Sequence, residues 1–383
     1  MIKRLNYGMV GGHLNAFIGG VHRVAAAFDP RAQLVAGCFS SKPEPNKECG
    51  ESLGLELDRV YKDYEEMAAK ESAREDGIKF VTIATPNNTH YLAARTFLLH
   101  GINVLCEKPL CFEVGEGEEL KKIAEERGLL FAVNYSYSGN NMVKEARELV
   151  KQGVIGEIIN INGEYLQEWL IDDIGAGDDT MNKLSVWRKD PKASGGSNCV
   201  GDIGTHIEHT VSYITGLKVK RVAAKMDYFG QPLDLNANIL VEFDNGAHGV
   251  FSSSQVCVGH MNGLVVRIFG TKGSIEWVQE NPNILSVTLK GKPTQIYNRG
   301  MSYLSERAAQ MSRIPSGHPE GLYEAFANIY KVWIDANLKK LNGQEFGEYD
   351  DDYPSIDDGI SGVKFVHACL ASNKTGGNWV DVD

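Results

Sequence analysis

Residues 80–109 read FVTIATPNNTHYLAARTFLLHGINVLCEKP. Phe80 to Ala84 (FVTIA) is a short, mostly apolar run with β-branched residues, the composition of a buried strand. Thr85-Pro86-Asn87-Asn88 supplies a turn and a helix start. The spacing predicts a helix from Tyr91 to His100, ended by Gly101 as its C′ residue. Ile102 to Cys106 is the next predicted strand. Strand, helix and strand in this order form the unit of a parallel sheet.

The alternation extends in both directions. Upstream, Leu5 to Val10 is a predicted strand running into Gly11-Gly12, Phe17 to Phe28 a helix and Leu34 to Phe39 a strand. Downstream, Val114 to Arg127 is a helix closed by Gly128, and Leu129 to Val133 a strand. Residues 1–133 are expected to form an α/β domain: a doubly wound, Rossmann-type parallel sheet with helices on both faces. The pattern changes after Gly153. Residues 158–169 read as a long strand, followed by strands at Ala237–Phe243, Ala247–Gln255, Val265–Phe269 and Ser274–Val278. Asp244-Asn245-Gly246 is a hairpin signal between two of them. Clustered antiparallel strands predict a separate α+β domain over 134–383, whose C-terminal helix is expected to pack back on the first domain.

Composition narrows the class. The chain has 383 residues, room for two domains at about 100–200 residues each. It is 43% hydrophobic and 23% charged, as a globular protein with a sizeable core would be. A net charge of −11 argues against nucleic acid or an anionic membrane as the partner. The seven cysteines are scattered and form no C-x-x-C pair, which points to reduced thiols rather than a disulfide framework or a structural zinc site. Lys3 and Arg4 are followed by Asn6, His13 and Asn15, which interrupt any apolar signal segment, so a cytoplasmic protein is expected. The acidic run Glu348 to Asp352 reads as a solvated loop.

Gly11-Gly12 lies where a dinucleotide pyrophosphate would sit, between a strand and a helix N-terminus. Aligning G-x-G-x-x-G on Gly11 puts His13 at the second glycine and Ala16 at the third, so the fingerprint is imperfect. The second strand ends in Ser40-Ser41-Lys42 rather than an acid. These residues suit either a 2′-phosphate or an unphosphorylated ribose, which leaves NAD and NADP both open.

Lys108 stands at the carboxyl end of a predicted strand, the edge where doubly wound sheets bind ligands. There an ammonium can polarise a carbonyl or stabilise an alkoxide; in isolation it reads equally as a surface lysine. Asp202 and His206 are four apart in GDIGTH; on a helix running to Gly216 they share a face, so the carboxylate can steady an imidazole that takes a hydroxyl proton. The alternatives are an N-cap role for Asp202 and a metal cluster of Asp202, His206 and His209. Three same-face groups on one helix do not close a tetrahedral site, and no metal is expected. Alternation puts Tyr165, Gln167 and Trp169 on one strand face, suited to a sugar ring or to burial against a second subunit. Tyr135 and Trp187-Arg188 are further polar-aromatic candidates, and His318 precedes a predicted helix as a site residue or a loop residue.

Together these motifs resemble the glucose–fructose oxidoreductase / inositol dehydrogenase / MocA family. The likeness is carried by Val81–His90, Glu107-Lys108-Pro109 and Asp202-Ile203-Gly204-Thr205-His206, in that order. Asn245-Gly246 and Gly270-Thr271-Lys272-Gly273-Ser274 also fit. The resemblance implies a Rossmann domain followed by an α+β domain with a large open, mostly antiparallel sheet that often forms subunit interfaces, hence a homo-oligomer. It implies Lys108, Asp202 and His206 as catalytic residues. It implies Thr85, Pro86, Asn87, His90 and Glu107 as cofactor contacts, beside Gly11, Gly12, His13, Ser40, Ser41 and Lys42. Trp187-Arg188, followed by Asp190-Pro191 and the D-I-G-T-H motif, resembles a subgroup similar to levoglucosan dehydrogenase and glycoside 3-dehydrogenases. Trp187 and Arg188 are grouped with the cofactor contacts on that likeness, which leans to NAD and makes Gln167 and Trp169 substrate-ring contacts, with Tyr135 and His318 beside them. The activity it implies is NAD(P)-dependent oxidation of a secondary ring hydroxyl of a sugar, glycoside, anhydrosugar or cyclitol, with the 3-hydroxyl of a glucoside as the specific expectation. Two rivals are a cofactor-retaining enzyme that cleaves glycosides by transient oxidation and a non-catalytic sugar or nucleotide sensor.

Overall fold

The computed structural model describes residues 4–174 and 186–383, so Lys3 lies outside the described residues. The chain divides into two units: Met1–Ser136 with Leu322–Ile360, and Tyr137–Gly321 with Ser361–Asp383.

In the first unit five parallel strands, β1 (Leu5–Gly11), β2 (Ala32–Cys38), β3 (Phe80–Ala84), β4 (Asn103–Cys106) and β5 (Phe131–Val133), stand in the order β2-β1-β3-β4-β5. Every residue of β3, β4 and β5 is buried, as strands covered on both faces should be. Chain order reverses between β1 and β3, which makes their carboxyl ends the switch point where ligands bind in such sheets. The helix Leu322–Leu341 packs on the helix Phe17–Ala27. Its Trp333 is fully buried edge-on against Phe80, whose ring stacks on Tyr7. The first unit thus includes Leu322–Ile360, which lies outside the 1–133 expected for it, because Phe326, Tyr330 and Trp333 give this helix an apolar face to bury. The helix Pro43–Ser52 has no such stripe, burying only Asn46, Cys49 and Gly50, and periodicity does not reveal it.

In the second unit nine strands form one sheet: β6 (Ile158–Leu166), β7 (Val219–Asp227), β8 (Asn236–Phe243), β9 (His248–Ser254), β10 (Gly263–Gly270), β11 (Gly273–Val278), β12 (Ile284–Leu289), β13 (Gln295–Asn298) and β14 (Val380–Asp381). Their order is β13-β12-β11-β10-β6-β9-β8-β7-β14, antiparallel except for the β6–β9 pair. Asp244-Asn245-Gly246 joins β8 to β9, with Gly246 at φ 85°. The helices Asn141–Lys151 and Thr205–Thr215 pack on each other and on the sheet. Val143, Ile161, Ile207, Val211, Phe251 and Trp277 belong to the core between them. On the other face Leu240 and Val250 are paired across strands and exposed. Strand β6 stops at Leu166, short of residue 169; Gln167 still donates to Ser254 O (2.8 Å), but the chain then turns through Ile171–Asp173. Among the described residues no helix is long and apolar enough to cross a membrane, and all seven cysteines are free.

Candidate functional site

At the switch point the backbone of β1 turns through Gly11 (φ 76°) and Gly12 (φ 67°), the left-handed region that glycine adopts without strain. Gly12 N donates to Ala84 O at 3.1 Å, and a Cβ on Gly11 would stand 2.4 Å from that oxygen. The helix Phe17–Ala27 follows with Ala16 at its N-cap, no side-chain cap and no acid in its first turn. Its first amides and its positive dipole end therefore suit an anion. The close approach expected of a third glycine at position 16 is made instead at Gly19, where a Cβ would lie 2.3 Å from Gly12 Cα. His13 is half-buried and its Nδ1 accepts from Asn15 N at 3.4 Å. After β2, Ser41 and Lys42 are exposed and Ser40 Oγ accepts from Lys42 N at 3.2 Å. A glycine cradle with an uncapped helix N-terminus fits the pyrophosphate of a dinucleotide.

After β3, Thr85 Oγ1 accepts from Thr89 at 2.6 Å, and Pro86 is exposed between half-buried Thr85 and Asn87. His90 is fully buried, with Nδ1 2.8 Å from Pro109 O and Nε2 3.0 Å from Thr85 O. Burial pushes its imidazole below the ordinary value, against the two carbonyls, which favour the cation. Glu107-Lys108-Pro109 follows β4, with a cis Lys108–Pro109 bond and Lys108 half-buried. Glu107 is buried; its Oε1 meets His22 Nε2 at 2.8 Å and Asn134 Nδ2 at 2.6 Å, and its Oε2 accepts from Lys108 N at 3.2 Å. Burial alone would raise this carboxyl, but His22 and Asn134 hold it below the ordinary value. Glu107 and His90 thus spend their polar atoms inside the protein. Tyr135 is also fully buried.

In the second unit the helix carrying GDIGTH does not begin at Asp202. A π-helical turn over Val200–Gly204 runs into the α-helix Thr205–Thr215, which Gly216 closes in the left-handed region (φ 73°). Asp202 is therefore inside the helix, and its N-cap reading is overturned. The capping is done by Asp234, fully buried, whose carboxylate accepts from Asn198 N and Val200 N at 2.9 Å each. Turns of this π type recur at functional sites.

Asp202 Oδ2 accepts from Gln255 Nε2 at 3.0 Å, and Gln255 Oε1 in turn accepts from Asn198 Nδ2 at 2.7 Å. Arg188 Nε lies 3.7 Å from the same Asp202 oxygen, and its guanidinium lies 4.6 Å from the Trp187 ring and 5.8 Å from the Trp169 ring. His206 is 8% exposed, with Tyr137 edge-on at 4.8 Å and Tyr165 at 6.1 Å. A polar chain runs away from that imidazole. The Tyr137 and Tyr165 hydroxyls bond each other, Tyr165 OH donates to Asn262 Oδ1 (2.6 Å), Gln167 Nε2 donates to the same oxygen (2.8 Å), and Trp169 Nε1 donates to Gln167 Oε1 (2.8 Å). Burial raises the Tyr137 and Tyr165 phenols above their ordinary value, so both stay protonated donors. Asp202, His206, Gln167, Trp169 and Arg188 are thus gathered in one place, with Trp187 beside Arg188. His318 is exposed in a loop, its carbonyl accepting from buried Arg299. Among the described residues no group of three His, Cys, Asp or Glu side chains is arranged for a metal ion.

A family model described as an oxidoreductase family with an NAD-binding Rossmann fold matches residues 5–135, and the GFO/IDH/MocA C-terminal domain matches 143–276. The chain belongs to the Gfo/Idh/MocA family. It is an oxidoreductase with an NAD-binding Rossmann domain and a second, mostly antiparallel domain, as its motifs implied. The uncharacterized oxidoreductase YfiI of Bacillus subtilis is 38% identical to it over 99% of this chain and 97% of its own. An inositol dehydrogenase homolog from Azotobacter vinelandii, complexed with NADH and myo-inositol, is 35% identical with a TM-score of 0.90, covering 99% of this chain and 98% of that one. Levoglucosan dehydrogenase of Pseudarthrobacter phenanthrenivorans is 27% identical over 75% of this chain and 76% of its own.

Sequence reasoning missed Gly19, His22, Asn134, Tyr137, Asp234, Gln255 and Asn262. Two had a local signal. Gly19-Gly20 interrupts a helical run, and a glycine there points to close packing. Gln255 closes a predicted strand. The rest become visible only when distant segments meet.

Proposed function

We propose that this protein is an NAD-dependent dehydrogenase that oxidises a secondary ring hydroxyl of a cyclitol or sugar to the ketone. The observation that carries this reading is the enclosed His206 imidazole against Tyr137 and Tyr165, whose hydroxyls lead through Asn262 to the Gln167 amide and the Trp169 indole, with the Gln255-oriented Asp202 carboxylate four residues before His206 in the same helical run. An imidazole can take the hydroxyl proton, and an ionised carboxylate stabilises the imidazolium that forms. The amide and indole suit a ring with polar edges and an apolar face. Lys108 is assigned to hold the oxygen as it becomes an alkoxide. Gly11, Gly12 and the amides at the start of the helix Phe17–Ala27 would hold the pyrophosphate, with Thr85 to Asn87 beside the dinucleotide and Ser40, Ser41 and Lys42 at its ribose. NAD, when bound, supplies the hydride acceptor.

The identity to the homolog crystallised with myo-inositol supports a cyclitol as the first substrate to test. The likeness to levoglucosan dehydrogenase supports the 3-hydroxyl of a glucoside as the second. The exposed Leu240–Val250 face is consistent with burial between copies of this chain. The test is a panel of inositols, free hexoses, anhydrosugars and glucosides with NAD and NADP separately, repeated with Lys108→Ala and His206→Ala. A ketone formed with NAD, and a roughly 10²–10⁴-fold slower step in both variants, is expected. Nucleotide binding without turnover on the whole panel, or full turnover in either variant, would overturn the assignment.

A further inference from the structure

The turn that carries Lys108 is held from both sides by buried histidines. His22, inside the helix Phe17–Ala27, is fully buried, and its Nε2 lies 2.8 Å from Glu107 Oε1. Its Nδ1 lies 2.9 Å from Tyr330 OH, which also bonds Thr82 Oγ1 at 2.9 Å. Phe326 and Tyr330 stand edge-on to the imidazole at 5.2 and 5.8 Å, fixing the plane of the ring. Glu107 in turn accepts the Lys108 amide at 3.2 Å. On the other side His90 reaches Pro109 O and Thr85 O. The residue before Lys108 is therefore tied to the helix of the glycine turn, and the residue after it to the loop that follows β3.

We propose that His22 is a positioning residue: through Glu107 it sets the Lys108 turn according to the helix that begins at the dinucleotide site, while His90 holds the opposite end. Without His22 the buried Glu107 carboxylate keeps only two neutral donors, Asn134 Nδ2 and the Lys108 amide, and is pushed to protonate or move, because a charge with no charged or ring partner is poorly tolerated away from water. Either response shifts the amide of Lys108, and a misplacement of about 1 Å at a reacting group costs up to about 10²-fold in rate. The catalytic consequence rests on the assignment of Lys108 proposed above; the structural link does not.

The experiment combines kinetics with amide exchange. His22→Ala and His22→Gln are compared in the Lys108 and Lys108→Ala backgrounds, and exchange through residues 105–111 is followed without nucleotide. His22→Ala is expected to lower kcat about tenfold or more while the KM for NAD stays within about threefold. The loss should vanish in the Lys108→Ala background, be partly restored by His22→Gln, and accompany faster exchange at 105–111. An equal loss in both backgrounds, or unchanged kcat with unchanged exchange, overturns the proposal. If Lys108→Ala itself keeps full turnover, the catalytic assignment of Lys108 fails, and exchange at 105–111 alone decides the link: faster supports it, unchanged overturns it. Should His22→Ala not fold, Glu107→Gln keeps the side-chain shape and is judged by the same two readouts.

Discussion

Gly19 and Gly20 are neighbours in the helix Phe17–Ala27, yet an added methyl group meets different surroundings at each. At Gly19 the new Cβ would stand 2.3 Å from Gly12 Cα and 2.8 Å from Gly12 C and O. These are backbone atoms of the glycine turn and cannot rotate aside, so helix and turn must separate by more than about 1 Å to restore ordinary contact. Overpacking costs about 1–3 kcal/mol, and an immovable backbone puts Gly19→Ala near the upper figure. Alanine returns about 1 kcal/mol of helix propensity, leaving a net loss of about 2 kcal/mol. At Gly20 the nearest atom is Arg23 Nη2 at 4.0 Å, at the end of a flexible side chain. Gly20→Ala should therefore keep only the gain, a stabilisation of about 1 kcal/mol. The two variants are compared by urea titration and by calorimetric titration with NAD. Gly19→Ala should unfold at lower urea and bind NAD more weakly; Gly20→Ala should unfold at higher urea with its NAD affinity kept. Shifts of the same sign and size in both would refute the close approach of the helix to the glycine turn.

Two further outcomes follow from the buried polar groups. Gln255→Leu removes the donor to Asp202 and leaves the Asn198 amide without its acceptor, so stability should fall by about 1–3 kcal/mol in urea titration. In steady-state kinetics the same variant should lose about tenfold in kcat at unchanged KM for NAD, because Asp202 is misdirected rather than removed. His90 titrates below its ordinary value in the fold because of burial, so at mildly acid pH the unfolded chain binds more protons than the folded one. That contribution is complete above about pH 6.5 and is lost as pH falls toward the lowered folded value. His90→Gln should flatten the decline of the thermal midpoint on acidification, and an unchanged slope would show that His90 carries none of it.

The parts of the fold that could be read from the chain are those in which local chemistry and tertiary burial agree. Phe80–Ala84 is apolar and β-branched but for the Thr82 hydroxyl, and the strand has these bounds; Asp244-Asn245-Gly246 supplies the left-handed glycine its hairpin needs. Where distant segments decide the outcome, the sequence is silent. The glycine fingerprint points to position 16 because it assumes a standard spacing, whereas this longer turn places the contact at Gly19. Asp202 resembles a helix cap because acids are favoured there. It lies inside the helix because Asp234, from a separate segment, takes the cap, and a π turn intervenes. Nothing local marks His22 within its helix; its role is visible only once Glu107 is found against it. Asn262 is an ordinary loop residue until Tyr165 and Gln167 converge on it.

Transfer of the label from a ring carbon is the most direct test of the proposed chemistry. The substrate that reacts in the panel is prepared with deuterium on the carbon bearing the reactive hydroxyl and incubated with NAD, and the reduced nucleotide and sugar product are analysed by mass spectrometry. Direct oxidation of that hydroxyl predicts one deuterium on the reduced nicotinamide for each ketone released. Deuterium lost to water, or a cleaved product with no net reduction of NAD, would contradict it.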